Sequence, residues 1–191
     1  MNLILKNIQN KGFTLVETLV AITVLLLVII GPMTIAQKGI QNAYYANDQI
    51  TAMFLAQEAI EGVRELRDEK ALEAYNTTGV VNTWDWIPAG CNAPTTCGFQ
   101  GVTNPSTPIT LCSNLGGCVV RKNTATNLYS HTPGDPVTSP QYTREITFDV
   151  SGTIDSVKVT VDVYWNASVF GGGPRHVILQ TWLYDHYQRY E

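Results

Sequence analysis

The run from Leu15 to Ala36, LVETLVAITVLLLVIIGPMTIA, decides how the rest of the chain is read. As a helix its 22 residues would span roughly 33 Å at about 1.5 Å per residue, close to the hydrocarbon core of a bilayer at about 30 Å. A helix apolar on every face needs lipid or a protein core around it, and a chain of 191 residues is too small to wrap one completely. The segment therefore reads as a transmembrane helix. Lys6 and Lys11 precede it, and after Lys38 the next basic residue is Arg64, so the positive-inside rule places the N-terminus in the cytoplasm and the remaining chain outside. A secretory signal peptide fits less well. Its apolar stretch is usually about 7–15 residues and ends at a small-residue cleavage site, whereas this run is longer and a helical pattern continues beyond it.

Around that run the composition falls into two regimes. Only Glu17 is charged between Lys11 and Lys38, while nine charged residues fall between Glu58 and Glu73. With a net charge of −4 and no run of Lys or Arg, nucleic acid is disfavoured as a partner. Within the apolar run two features stand out. Glu17 is costly in lipid unless it sits at an interface near a helix N-terminus or meets a positive charge in an assembly. Gly31-Pro32 interrupts the run, and a proline there removes a helix hydrogen bond and predicts a kink.

From Gln37 to about Tyr75 apolar residues recur at spacings near three and four. Ile50, Phe54, Ile60, Val63 and Leu66, with Ala43, Ala56 and Ala59, form one stripe. Gln57, Glu58, Glu61, Arg64, Glu65 and Asp68 form a solvated face opposite it. Asn76-Thr77-Thr78-Gly79 reads as the stop. A helix from Leu15 to Tyr75 would be about 90 Å long, which suits a membrane-anchored stalk whose upper half packs on a head.

Residues 80–141 are rich in Gly, Pro, Asn, Ser and Thr, with Trp84 and Trp86 near the start. So long a structureless loop is unusual in a compact domain, so short strands are expected, one around Val119–Arg121, together with a staple. Cys91 and Cys97, and Cys112 and Cys118, are two similarly spaced pairs. Four cysteines allow three connectivities, of which local pairing is the simplest; the sequence does not choose among them. A four-cysteine zinc site competes, but the spacing is wider than usual for zinc and an exported segment lies in an oxidising compartment. Disulfides are expected, and no metal or other cofactor.

Beyond Gln141 the period becomes two. Ile146, Phe148 and Val150 alternate with Glu145, Thr147 and Asp149. After Ser151-Gly152-Thr153, Val157, Val159, Val161, Val163 and Trp165 alternate with polar residues. Phe170–Pro174 reads as a turn and His176–Tyr184 as a third strand. The fold class is α+β: a long N-terminal helix whose upper, amphipathic half packs on a C-terminal antiparallel sheet.

Lys11-Gly12-Phe13-Thr14-Leu15-Val16-Glu17, leading directly into the apolar helix, resembles the class III signal of type IV pilins and type II secretion pseudopilins. The stretch Phe54–Asp68 further resembles the corresponding helix of V-type minor pilins and of the I pseudopilin. The resemblance implies a leader over 1–12, cut by a prepilin peptidase between Gly12 and Phe13, with Phe13 N-methylated as the new first residue. It implies that Glu17 pairs with a neighbouring subunit's N-terminal amine, and that Gly31 and Pro32 permit local unwinding in a filament. It divides the remainder into an assembly helix (13–37), its amphipathic extension (38–79), the cysteine-containing region (80–141) and the sheet (142–191). The partners implied are the peptidase, other pilin or pseudopilin subunits, the inner-membrane assembly machinery, and lipid before assembly. The location implied is the inner membrane with an extracytoplasmic head, then the pilus or pseudopilus.

His131, His176 and His186 show no metal-ligand spacing and no nucleophile motif accompanies them, so they read as surface or turn histidines and no catalysis is expected. Three functions compete. The first is a structural subunit of a pilus or type II secretion-like filament. The second is a filament-displayed adhesin or DNA-uptake module, binding through the loop-rich head with Trp84, Trp86 and several Tyr. The third is a bitopic membrane protein whose leader is coincidental.

Overall fold

A computed structural model describes residues 12–76, 84–92, 94–100, 107–131, 141–153, 156–166 and 173–184. The chain divides into two compact units, Met1–Tyr44 and Tyr45–Glu191. One helix, α1 (Leu15–Asn76), supplies all the regular structure described in the first unit and enters the second. It ends where the Asn-Thr-Thr-Gly stop begins, and the rest of that stop lies outside the described residues.

In the second unit α1 packs on an antiparallel sheet of seven strands: β1 (Cys97–Phe99), β2 (Ile109–Leu111), β3 (Val119–Lys122), β4 (Tyr129–Ser130), β5 (Tyr142–Thr153), β6 (Ser156–Asn166) and β7 (Pro174–Tyr184). β5 is the hub. It pairs along one side with β6, which pairs with β7, and along the other with β1 and β3, which carry β2 and β4. This is the expected α+β arrangement.

β6 follows the sequence pattern throughout: Val157, Val159, Val161, Val163 and Trp165 are buried and their neighbours are not. β5 follows it only as far as Phe148. The register shifts between Asp149 and Thr153, so Val150 loses its parity and is exposed, and the strand continues through Ser151-Gly152-Thr153.

The helix stripe holds at Ala56, Ala59, Ile60, Val63 and Leu66, but fails at Ile50, Phe54 and Ala43, which are exposed. Its buried face is Ala52, Leu55, Ala56, Ala59, Ile60 and Val63, with Leu66 partly covered, while Ile50 is 55% exposed and Phe54 66%. At about 100° per residue, Phe54 lies about 180° from Val63. Small residues face the sheet because the two backbones approach closely. At Gly62 an added Cβ would fall inside the buried ring of Phe99.

Candidate functional site

The sequence placed chemistry at two locations, the N-terminal segment and the cysteine-rich layer. In the first unit every residue from Gly12 to Ile40 is exposed, and α1 is long and apolar enough to cross a membrane. The leader, apart from Gly12, lies outside the described residues. Gly12 and Phe13 precede the helix, and Phe13 is 79% exposed. Thr14 caps the helix: its Oγ1 accepts from the Glu17 N–H at 3.3 Å, and its carbonyl accepts from the Thr18 N–H at 3.2 Å. Thr14-x-x-Glu17 has the spacing of a capping box, and this is its first half.

The polar side chains of the apolar run divide cleanly. Thr18, Thr23 and Thr34 each donate their hydroxyl to a carbonyl three residues back, at 2.8 Å, on Leu15, Val20 and Gly31. Such internal satisfaction is what a lipid environment demands. The Glu17 carboxylate alone has no partner among the described residues. Gly31 and Pro32 lie within α1, which is assigned as helix on both sides of them. Pro32 lacks the N–H that would reach the Val28 carbonyl.

In the second unit the sulfurs join locally. Cys91–Cys97 closes with its Cα atoms 5.4 Å apart, and Cys112–Cys118 with 4.8 Å. Both staples tie the loop-rich layer to β5. The Cys91 carbonyl accepts from the Phe148 N–H at 3.0 Å, and the Cys118 carbonyl from the Arg144 N–H at 3.1 Å. At Gly98 an added Cβ would meet Leu115 Cδ1 at 2.6 Å and Cys118 Sγ at 2.7 Å, so β1 passes the second staple only without a side chain there. Among the described residues no cluster of His, Cys, Asp or Glu is placed to hold a metal.

Two aromatic residues expected at a recognition surface turn inwards. Trp84 is buried, and Trp86 meets the Phe148 ring edge-on with centroids 5.9 Å apart. His131, expected at the surface or in a turn, is fully buried, with Nδ1 3.0 Å from the Val119 carbonyl and, among the described residues, no partner on Nε2. Burial, followed by the nearby Arg144 charge, pushes its pKa down to about 4. His176 is exposed, 3.8 Å from Asp162, and His186 lies outside the described residues.

Arg144 is a buried charge the sequence reading did not single out, although it shares the parity of Ile146 and Phe148. It is buried in the core, donating to the Leu55 carbonyl at 3.1 Å, the Phe99 carbonyl at 2.7 Å and Glu58 at 2.7 Å. Glu58, expected on the solvated face, therefore sits at the rim of the helix–sheet interface. Burial lowers the guanidinium's proton affinity and Glu58 opposes that shift.

Comparison with curated proteins and with solved structures returns no match. Residues 8–31 match the family model described as the prokaryotic N-terminal methylation motif. That motif, set at the head of a long, exposed apolar helix that continues into an α+β head, supports a type IV pilin-like protein anchored by a single membrane pass.

Proposed function

We propose that this chain is a structural subunit, a minor pilin or pseudopilin, of a type IV pilus or type II secretion-like filament. A prepilin peptidase cuts it between Gly12 and Phe13, and it assembles through the apolar part of α1. The observation that carries this reading is the isolation of Glu17. Among the described residues every other polar side chain of the apolar run bonds within its own helix, and the one that finds no partner there is a carboxylate four residues from the amine that cutting would create. A neighbouring subunit's Phe13 amine supplies the positive charge that a desolvated carboxylate requires. Removing Lys6 and Lys11 with the leader makes the chain two units more negative than −4, so the exported part is acidic.

The inward packing of Trp84 and Trp86 favours this reading over a binding module displayed by the loop-rich region. The subunit performs no chemistry itself; the cut is made on it. Co-expression of the full chain with a prepilin peptidase, followed by intact mass and N-terminal sequencing, tests the proposal. A new N-terminus at methylated Phe13 is expected, and a chain that keeps residues 1–12 in the peptidase's presence would overturn it. Proteomics of sheared filaments then distinguishes pilus from secretion-type assembly.

A further inference from the structure

The two staples are alike in length and unlike in setting. Each joins cysteines at a sequence separation of 6, so loop closure favours them equally. Cys91 and Cys97 are fully buried in the main core. Cys112 and Cys118 form a small cluster of their own with Leu115, and between them Ser113, Asn114, Gly116 and Gly117 are exposed. Cys112 keeps 8% of its surface, whereas Cys118 keeps none. Cys118 is also held at a φ of 56°, a left-handed conformation that only glycine adopts freely.

An acceptor without a donor borders this second staple. His131 is fully buried, and its Nδ1 lies 3.0 Å from the Val119 carbonyl. A carbonyl only accepts, so Nδ1 carries the hydrogen and Nε2 is left with its lone pair. Among the described residues nothing donates to it. The point where Gly98 would carry a Cβ lies 2.7 Å from Cys118 Sγ and 3.3 Å from His131 Nε2. Sulfur and nitrogen therefore line one niche, which Gly98 leaves open. A buried acceptor left unsatisfied costs stability. A disulfide sulfur has no hydrogen to offer it, and a thiol does.

We propose that Cys112–Cys118 is a reversible redox site, opened by an external thiol at Cys112, with His131 Nε2 accepting from the freed Cys118 thiol, while Cys91–Cys97 is a permanent clasp. The external thiolate bonds to Cys112 Sγ and breaks the bond to Cys118. Cys118 leaves as a thiolate, takes up the proton that the external thiol shed, and donates the new S–H to Nε2. A second external thiol then displaces the first from Cys112. Two external thiols are thereby oxidised to one disulfide as two protein thiols form. Cys112 is the sulfur attacked, because Cys118 is sealed from solvent. Arg144, whose backbone N–H holds the Cys118 carbonyl and whose charge reaches His131, favours the departing thiolate. In an oxidising compartment the closed form is the resting one, and the thiol that opens it is that of a dithiol oxidoreductase. The site is independent of any filament role.

The test equilibrates the full chain, in detergent micelles, across a series of reduced-to-oxidised glutathione ratios. Acid quenching, alkylation and peptide mass spectrometry then read each cysteine pair separately. Cys112 and Cys118 should become alkylated at ratios that leave Cys91 and Cys97 joined. His131→Asn keeps a donor for the Val119 carbonyl but has no acceptor at the place of Nε2, so its second staple should need a mixture about tenfold more reducing. His131→Gln, whose amide reaches that place, should open near the wild-type ratio. Opening of both staples at one ratio overturns the proposal, and so does a His131→Asn staple that opens where the wild type does. The comparison of the two staples uses the wild-type chain alone, so it decides the matter even where a variant fails to fold.

Discussion

Arg144 Nη1 lies 2.7 Å from Glu58 Oε2, joining the middle of β5 to the helix that packs on it, with the arginine 1% exposed and the carboxylate 45%. The second nitrogen of the same guanidinium holds the Phe99 carbonyl at 2.7 Å, and its carbon lies 5.5 Å from the centre of the Phe99 ring. One side chain thus ties α1, β5 and β1 together. A buried guanidinium cannot shed its charge, so its environment has to supply the counter-charge.

Glu58→Gln should therefore destabilise the fold by about 1.5 kcal/mol, at the low end of the range for hydrogen bonds to charged groups because the carboxylate is partly solvated. Urea unfolding of the full chain in detergent measures it. A loss below about 0.5 kcal/mol would make the pair equivalent to an exposed one.

Gly62→Ala sets two effects against each other. Helix propensity favours alanine by about 1 kcal/mol, while overpacking a filled core costs about 1–3 kcal/mol. The new Cβ would fall inside the Phe99 ring, which the Arg144 guanidinium and the core hold in place, so overpacking should win and the melting temperature should fall. Phe99→Leu, combined with Gly62→Ala, should recover part of the loss. A rise in melting temperature for the single variant would show that the ring has room to move.

The same glycine shows where the sequence could and could not be read. Alternation in β6 was legible because each valine is buried by one uniform face of the sheet. The helix stripe was legible at Ala56, Ala59, Ile60 and Val63, but Ile50 and Phe54 were drawn into it by their size, whereas Ala52 and Leu55 make the contact and Phe54 is left outside. Arg144 lay in plain view on the buried parity of β5, but a charge at such a position is not legible without its partner, which is 86 residues away. The layer from Trp84 to His131 has no period to read. Its strands are two to four residues long and are set by the two staples and by their pairing with β5 and with one another, all of which are tertiary. The N-terminal site needed no fold at all, because its signal is a local spacing.

His131 gives a pH dependence with a definite sign. The folded protein holds it neutral down to about pH 4, whereas an unfolded histidine takes up its proton near pH 6.5. Between those values the unfolded chain binds more protons, so this residue's contribution is complete above about pH 6.5 and is lost as the pH falls towards 4. The full effect is on the order of 3 kcal/mol. His131→Asn should flatten the decline in urea midpoint between pH 7 and pH 4. Parallel curves for the two proteins would mean that the imidazole is protonated in place.

Glu17→Gln separates processing from assembly. The substitution keeps the length of the side chain, and the backbone N–H of residue 17 can still donate to Thr14, so the start of the helix and the junction at Gly12 should be undisturbed. What it removes is the charge. Without it the neighbouring subunit's cationic amine would enter an apolar environment unpaired, at a cost of several kcal/mol for a desolvated ion. The variant should therefore be cut after Gly12 at the normal rate, accumulate in the membrane fraction and be depleted from sheared filaments. Glu17→Asp, which retains the charge on a shorter arm, should recover part of the incorporation. Filaments that contain Glu17→Gln at the wild-type level would show that the carboxylate is an interfacial residue near a helix N-terminus and plays no part in joining subunits.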